Sequence, residues 1–373
     1  MSLCLPTFLA RLADPSIRTV LLCGCGGGFD FVHSLVLYPE LKRLGKSVVI
    51  GSYSFGDPRR ITGDARVVFN ENDVIAKRVT ASSIPAPHYG PEVHICSFLD
   101  ATYPASRPHF VYAYYARAFS VPVLKRLYQQ FIVEHSIDAI VLVDGGSDSL
   151  MVGDEEGLGD PIEDAVSVAT VASLEGLKLK VLLSMGLGAD RFNQVSDRAS
   201  LRAIAELTAQ GGFEGAFSLE PTNPGLLFYK ACLEHIYQRQ TFRSVLAGTI
   251  ISAALGHYGS QDVPPLLQPR VQKGKFFLWP LMAMVWAFDV NKVAERSLIV
   301  DWLRDCQTVN ECYHALNTGR QSLGHRIRAV ENLPRHEEMR YTHFQSQPQE
   351  AKTEPEPPEP SIFAKLAAFF KNV

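Results

Sequence analysis

The sequence predicts an α/β protein, a Rossmann-like open and mostly parallel sheet with flanking helices and a helical C-terminal section. Two observations predict it. Short β-branched and aliphatic runs alternate with segments whose apolar residues recur at helical spacing. Three of those runs end in loops that combine glycine with an acid: Gly-Gly-Gly-Phe-Asp, Gly-Gly-Ser-Asp and Gly-Ala-Asp.

The first unit is Ile17 to Gly56. Arg18 to Cys23 reads as a strand that stops at Gly24, Gly26, Gly27 and Gly28, Phe31 to Leu44 as a helix ended by Gly45, and Val48 to Tyr53 as the next strand. This strand, loop, helix, strand order is a parallel crossover, and its loop falls at the carboxyl end of the first strand, where open sheets bind ligands. Glycines let the backbone approach a ligand, and the following helix start offers free N–H groups to phosphate or another anion. The competing reading is a tight turn in which the glycines serve packing alone.

Gly56 to Gly90 reads as a long connection lying across the sheet edge as a lid or specificity element, or as a surface excursion. Val93 to Phe98 reads as a short strand, and the aromatic Phe110 to Ala118 as core or pocket wall. Val121 to Glu134 is a helix leading into the strand Ala139 to Val143. That strand ends in Asp144, Gly145, Gly146, Ser147 and Asp148, and Asp160-Pro161 then opens a helix as an N-cap and first-turn proline do. Val181 to Ser184 follows and ends in Gly186, Gly188, Ala189 and Asp190.

If the three strands are parallel neighbours, Asp30, Asp148 and Asp190 meet on one edge. Carboxylates sharing a site repel, so they call for a cation, hydrogen-bond donors or a raised pKa. Oxygen ligands suit Mg²⁺, for which Asp30 and Asp148 are the candidate ligands together with substrate phosphate. The plainer role for each acid is capping a helix or turn. As chemistry, acids without a serine or cysteine nucleophile fit hydrolysis or transfer at a phosphate or glycosidic bond, with Asp148, Asp190 or Asp30 as general base. Gly24, Gly26, Gly27, Gly28, Gly145, Gly146, Ser147, Gly186 and Gly188, with Asp144, would line the ligand. The loop lacks the full dinucleotide fingerprint, with Phe29 in the sixth place, and there is no Gly-Lys-Ser/Thr P-loop.

The segments LLCGCGGGFDFVHS, DAIVLVDGGSDSLMVGDEEGLGDPIEDAVSV and PLMAMVWAFDV together resemble the family catalogued as domain of unknown function 1152, over roughly the first 330 residues. The resemblance implies an α/β sheet domain with these loops at one edge and brings no established reaction. Cys25 and Phe29 interrupt a glycine run that is otherwise continuous in the family.

Ser200 to Ala209 is a helix and Phe213 to Leu219 a last strand, which sets the α/β domain at 1–219. A helical section, 220–344, follows with helices at Leu226 to Tyr237, Val245 to Leu255, Phe277 to Phe288 and Val293 to Leu303. Apolar residues on more than one face of these helices predict packing on the sheet or against a second copy, a homo-oligomer. Arg243, His257 and Tyr258 are polar residues that could close the pocket, with a structural role favoured for His257 because no nucleophile motif accompanies it, and Val309 to Leu316 is a further helix.

Residues 345–360 form a Pro/Glu-rich linker unable to build a core. Residues 361–373 regain helical period, with Ile362, Phe363, Leu366, Phe369 and Phe370 in one sector. Such a tag docks on a protein partner, the inner face of a protein shell, a membrane surface or its own body. It supports a second function class, a non-catalytic sensor or cargo protein recruited through its tail.

A net charge of −3 with no basic stripe argues against nucleic acid as partner. Seven scattered cysteines without CxxC spacing suggest neither a disulfide framework nor zinc. No apolar run reaches membrane-spanning length and the first residues do not read as a secretory signal, so a cytoplasmic protein is expected.

Overall fold

A computed structural model describes residues 5–268 and 270–330. The linker, the terminal segment and its Ile362, Phe363, Leu366, Phe369 and Phe370 lie outside the described residues. The strands are β1 (Thr19–Gly24), β2 (Ser47–Ser54), β3 (Thr62–Gly63), β4 (Arg66–Glu71), β5 (Val74–Thr80), β6 (Ser83–Ile84), β7 (Phe110–Tyr115), β8 (Ala139–Asp144), β9 (Leu179–Met185), β10 (Phe213–Ser218) and β11 (Met284–Asp289). Nine of them make one sheet in the order β10-β11-β9-β8-β1-β2-β7-β5-β4. Its centre, β9-β8-β1-β2-β7, is parallel throughout, and the outer strands on both sides are antiparallel.

The helices are α1 (Thr7–Ala13), α2 (Asp30–His33), α3 (Tyr38–Arg43), α4 (Pro91–Thr102), α5 (Val121–His135), α6 (Pro161–Ser173), α7 (Asp197–Ala209), α8 (Pro224–Tyr237), α9 (Val245–Ala254), α10 (Val290–Arg296), α11 (Leu298–Leu303) and α12 (Val309–Leu323). They cover both faces. Side chains of β1 alternate: Val20 and Leu22 join a core with α1 to α4, α8 and α9, while Leu21 and Cys23 join one with α5 to α7 and α10 to α12. Helix α6 lies between the sheet and the α10 to α12 layer, so every residue from Ile162 to Val171 is buried.

Topology fixes where the loops of the sheet part. From β1 the chain leaves over one face to reach β2; from β8 it leaves over the opposite face, through α6, to reach β9. The loops after β1 and β8 therefore diverge, which makes the boundary between these two strands a topological switch point, the place where open sheets take ligands.

Several expected elements differ. Gly56 to Gly90 is not an open connection: most of it folds into the β4–β5 hairpin, which widens the sheet, and the β3–β6 pair, a separate two-stranded sheet. Asn72 and Asp73, both at positive φ, make the hairpin turn. Val93 to Phe98 belongs to α4, which Pro91 starts at a position where its missing N–H costs nothing. Phe31 to Leu44 is broken into α2, a 3-10 turn and α3, with a proline in the first turn of α3. The helix expected at Phe277 to Phe288 is instead a 3-10 turn followed by β11, which inserts between β9 and β10. The section after residue 219 is thus not wholly helical, and Met1–Asn332 form one compact unit. Val293 to Leu303 is divided at Ser297, whose hydroxyl caps α11.

Candidate functional site

Five aspartates gather where β1, β8 and β9 end. Asp30, Asp144, Asp164 and Asp190 are buried and Asp148 is half-buried. Of the three acids expected to meet, Asp190 acts electrostatically on both Asp30 and Asp148, and Asp144, which lies among them, acts on all three. Oxygens of Asp30, Asp144 and Asp164 all lie within 4.8 Å of one another. Asp148 stands outside that trio but shares with Asp164 the wall of a cavity of ≈ 10 Å³, room for about one water.

The glycine loops hold these acids in place. Gly26 N–H donates to Asp30 Oδ2 at 2.9 Å and Gly145 N–H to Asp30 Oδ1 at 3.1 Å. Asp144 accepts from Gly146 N–H at 2.6 Å and from both the N–H and the hydroxyl of Ser149, at 3.2 and 2.5 Å. Ser147 N–H donates to Asp190 at 2.6 Å and Asp160 N–H to Asp148 at 2.9 Å. Asp160 itself places no side-chain cap on α6. Amide donors expected to face a phosphate at Gly26, Gly145, Gly146 and Ser147 are therefore engaged with carboxylates of the chain.

The same packing explains why these positions are glycine. A Cβ at Gly146 would sit 2.1 Å from Asp190 Oδ2, and one at Gly26 2.8 Å from Asp30 Oδ2 and 2.9 Å from Asp164 Oδ1. One at Gly145 would sit 2.3 Å from His33 Nε2 and 2.9 Å from Asp30 Oδ1. Gly27 and Gly28 lie under the Phe55 ring, on whose face Arg117 stacks at 5.3 Å. Gly24 ends β1 with no space beyond its own loop, and Gly186 and Gly188 turn at positive φ, the latter against Trp279 and Asp197.

Burial, together with like charge, shifts the acids upward. Asp30, Asp148 and Asp164 are held well above the usual carboxylate range, Asp144 is raised, and Asp190 is pushed up to about 8. Burial also raises Glu163, beside Asp164, to about 7, with Asp160 adding to it. The arginines near these loops are paired elsewhere, Arg117 with Glu163 and Arg191 with Asp197. Cys25 is buried, its thiol pushed well up by burial, and its N–H extends the ladder to Val143 at 2.8 Å.

Three contributors escape a reading of the sequence. Asp164 reads as an ordinary acid in the first turn of α6, yet it is buried with its carboxylate against Gly26 and beside Asp30 and Asp144. His33, three residues after Asp30 on α2, is fully buried, with Nδ1 2.6 Å from the Tyr229 hydroxyl and Nε2 without a partner among the described residues. Tyr229 arrives from α8, far away in sequence. Of the residues expected to close the pocket, Arg243 stacks on Tyr237 at 5.4 Å, Tyr258 packs edge-on against Phe277, and His257 is exposed.

Fold and site together define a doubly wound α/β protein with a buried carboxylate cluster at its switch point. Residues 119–321 match the model of the family described as Protein of unknown function (DUF1152), and the chain belongs to that family. No curated protein and no solved structure matches it. Among the described residues no helix is long and apolar enough to cross a membrane.

Proposed function

We propose that the chain binds a phosphorylated small molecule, such as a nucleotide or sugar phosphate, in the switch-point crevice and acts on it as a hydrolase or transferase at a phosphate or glycosidic bond. The observation that supports this reading is the gathering of five carboxylates at the place where such folds take ligands. Because the loop amides hold carboxylates, phosphate oxygens would be met through a divalent cation rather than by the glycine backbone.

Asp148, the most exposed of the five, is the residue in reach of substrate. In its ionised form this carboxylate can serve as general base. In hydrolysis it takes the proton of a water whose oxygen bonds to the electrophilic centre, while the bond to the leaving oxygen breaks and its electron pair goes to that oxygen.

The test is a thermal-shift screen of nucleotides, sugar phosphates and nucleotide sugars, each with and without Mg²⁺, followed by a turnover assay on the compounds that bind. A ligand at about 100 times its Kd stabilises by about 2.7 kcal/mol, a shift of several degrees. Asp148→Asn is expected to retain the shift and lose turnover by at least about a hundredfold, the scale of general-base catalysis. Silence across the panel, or wild-type turnover in the variant, would overturn the proposal.

A further inference from the structure

We propose that Asp30, Asp144 and Asp164 form a site for one divalent cation of the Mg²⁺ and Mn²⁺ class. This deepens the reading above, since the crevice is the same, but it stands without any phosphorylated ligand.

Geometry carries it first. The three carboxylates come from different elements, the start of α2, the end of β8 and the first turn of α6, yet offer oxygens all within 4.8 Å of one another. Oxygen ligands of an ion at 2.0–2.1 Å stand at most about 4 Å apart across it, so the trio needs only a small inward adjustment. An all-oxygen set favours a hard cation over zinc.

The second argument comes from the partners that remain missing. Both oxygens of Asp30 and of Asp144 accept N–H or O–H donors, which fixes their direction and favours the ionised form. Asp164 Oδ1 has no donor among the described residues, although Asp164 is 4 % exposed. Gly26 has room for no side chain between that oxygen and Asp30 Oδ2, so the bare oxygen faces the other acid rather than solvent. A buried, unpartnered carboxylate oxygen beside two cradled ones is costly unless a positive charge completes it.

A third feature points to the same place from outside the acids. His33 is 0 % exposed, Tyr229 occupies its Nδ1, and its unpartnered Nε2 faces the Gly145 backbone beside Asp30 Oδ1. A hydrated cation supplies what both lone atoms lack: direct bonding to Asp164 and a water for the imidazole. The cavity shared by Asp148 and Asp164 gives a second water its place.

The experiment is Mn²⁺ titration of metal-stripped, full-length protein followed by electron paramagnetic resonance, with no phosphorylated compound present. One Mn²⁺ per chain is expected, displaced by excess Mg²⁺. Asp164→Asn and Asp144→Asn are each expected to weaken binding at least tenfold while keeping the wild-type circular dichroism spectrum, and the exposed Asp301→Asn should bind as wild type does. Absence of stoichiometric Mn²⁺ binding to folded wild type, or unchanged binding in both folded trio variants, would overturn the site. Mn²⁺ binding with a silent ligand panel would overturn the functional reading alone; a panel hit without Mn²⁺ binding would overturn the cation site alone.

Discussion

Asp164→Asn is expected to make the metal-free protein more stable at pH 8 than the wild type, and to abolish its stabilisation by Mg²⁺. Burial, with Asp148, Asp144 and Asp30 close by, holds the Asp164 carboxyl well above its ordinary value. Between about pH 4 and that folded-state value the native chain binds a proton that the unfolded chain has released. The stability this group contributes is fully present below about pH 4 and is lost as pH rises through its folded-state pKa. Asparagine keeps nearly the same shape and has nothing to lose over that window.

The melting temperatures of wild type and variant should therefore diverge with pH, by roughly 5 °C or more between pH 5 and pH 8. Asp190, at about 8, and Glu163, at about 7, tilt both proteins in the same direction, so the difference between the two curves reports Asp164. Parallel curves for the two proteins would refute the prediction, and so would an undiminished Mg²⁺ response in the variant. A gain in stability joined to a loss of binding is the usual mark of a functional site held in a strained state.

The second large effect concerns Gly146. Adding one methyl group there is expected to destabilise by about 2–3 kcal/mol, because the Cβ would fall 2.1 Å from a carboxylate that is 2 % exposed and tied to Ser147 N–H. Gly146 has no positive φ, so the cost arises from the collision and not from backbone conformation. A double-mutant cycle separates the two causes. On an Asp190→Ala background Gly146→Ala should cost under about 1 kcal/mol, measured by denaturant unfolding. An equal cost on both backgrounds would show that something other than Asp190 requires the glycine.

This contact also shows what the sequence could reveal. Glycine density after β1 and β8 was visible, as was the recurrence of an acid, because both are local. Their meaning was not: glycine that admits a ligand and glycine that admits a neighbouring carboxylate look alike until Asp190 is brought across from another strand. Four strands of the parallel core, β1, β2, β8 and β9, were legible as short apolar runs, whereas β7 read only as core or pocket wall because Phe110 to Ala118 is aromatic throughout. The strand β11 was not legible, because the first five residues of MVWAFD are all apolar, and such a run has no period to tell it from a helix. The β4–β5 hairpin did carry a usable signal, Asn72-Asp73 between two β-branched runs, and so did α4 in its Gly90-Pro91 start. Asp164 had none, since nothing near it in sequence indicates that α6 will bring it against Gly26, Asp30 and Asp144.

The insertion of β11 sets a schedule for synthesis. Strand β9 pairs with β8 on one side, but its other edge is completed by a strand made only after α8 and α9 have emerged, and β10 has no place in the sheet until that strand arrives. During translation the nascent chain thus carries an open, apolar edge for the time needed to make everything from β10 to β11, the condition under which chains pair with one another instead of with themselves. Residues 1–219 expressed alone keep that edge permanently and are expected to aggregate, whereas a chain ending after residue 330 closes it. The 220–283 excursion, which brings Tyr229 to His33, is in this sense pinned at both ends by the same sheet, so the wall of the crevice and the closure of the edge are completed in one event.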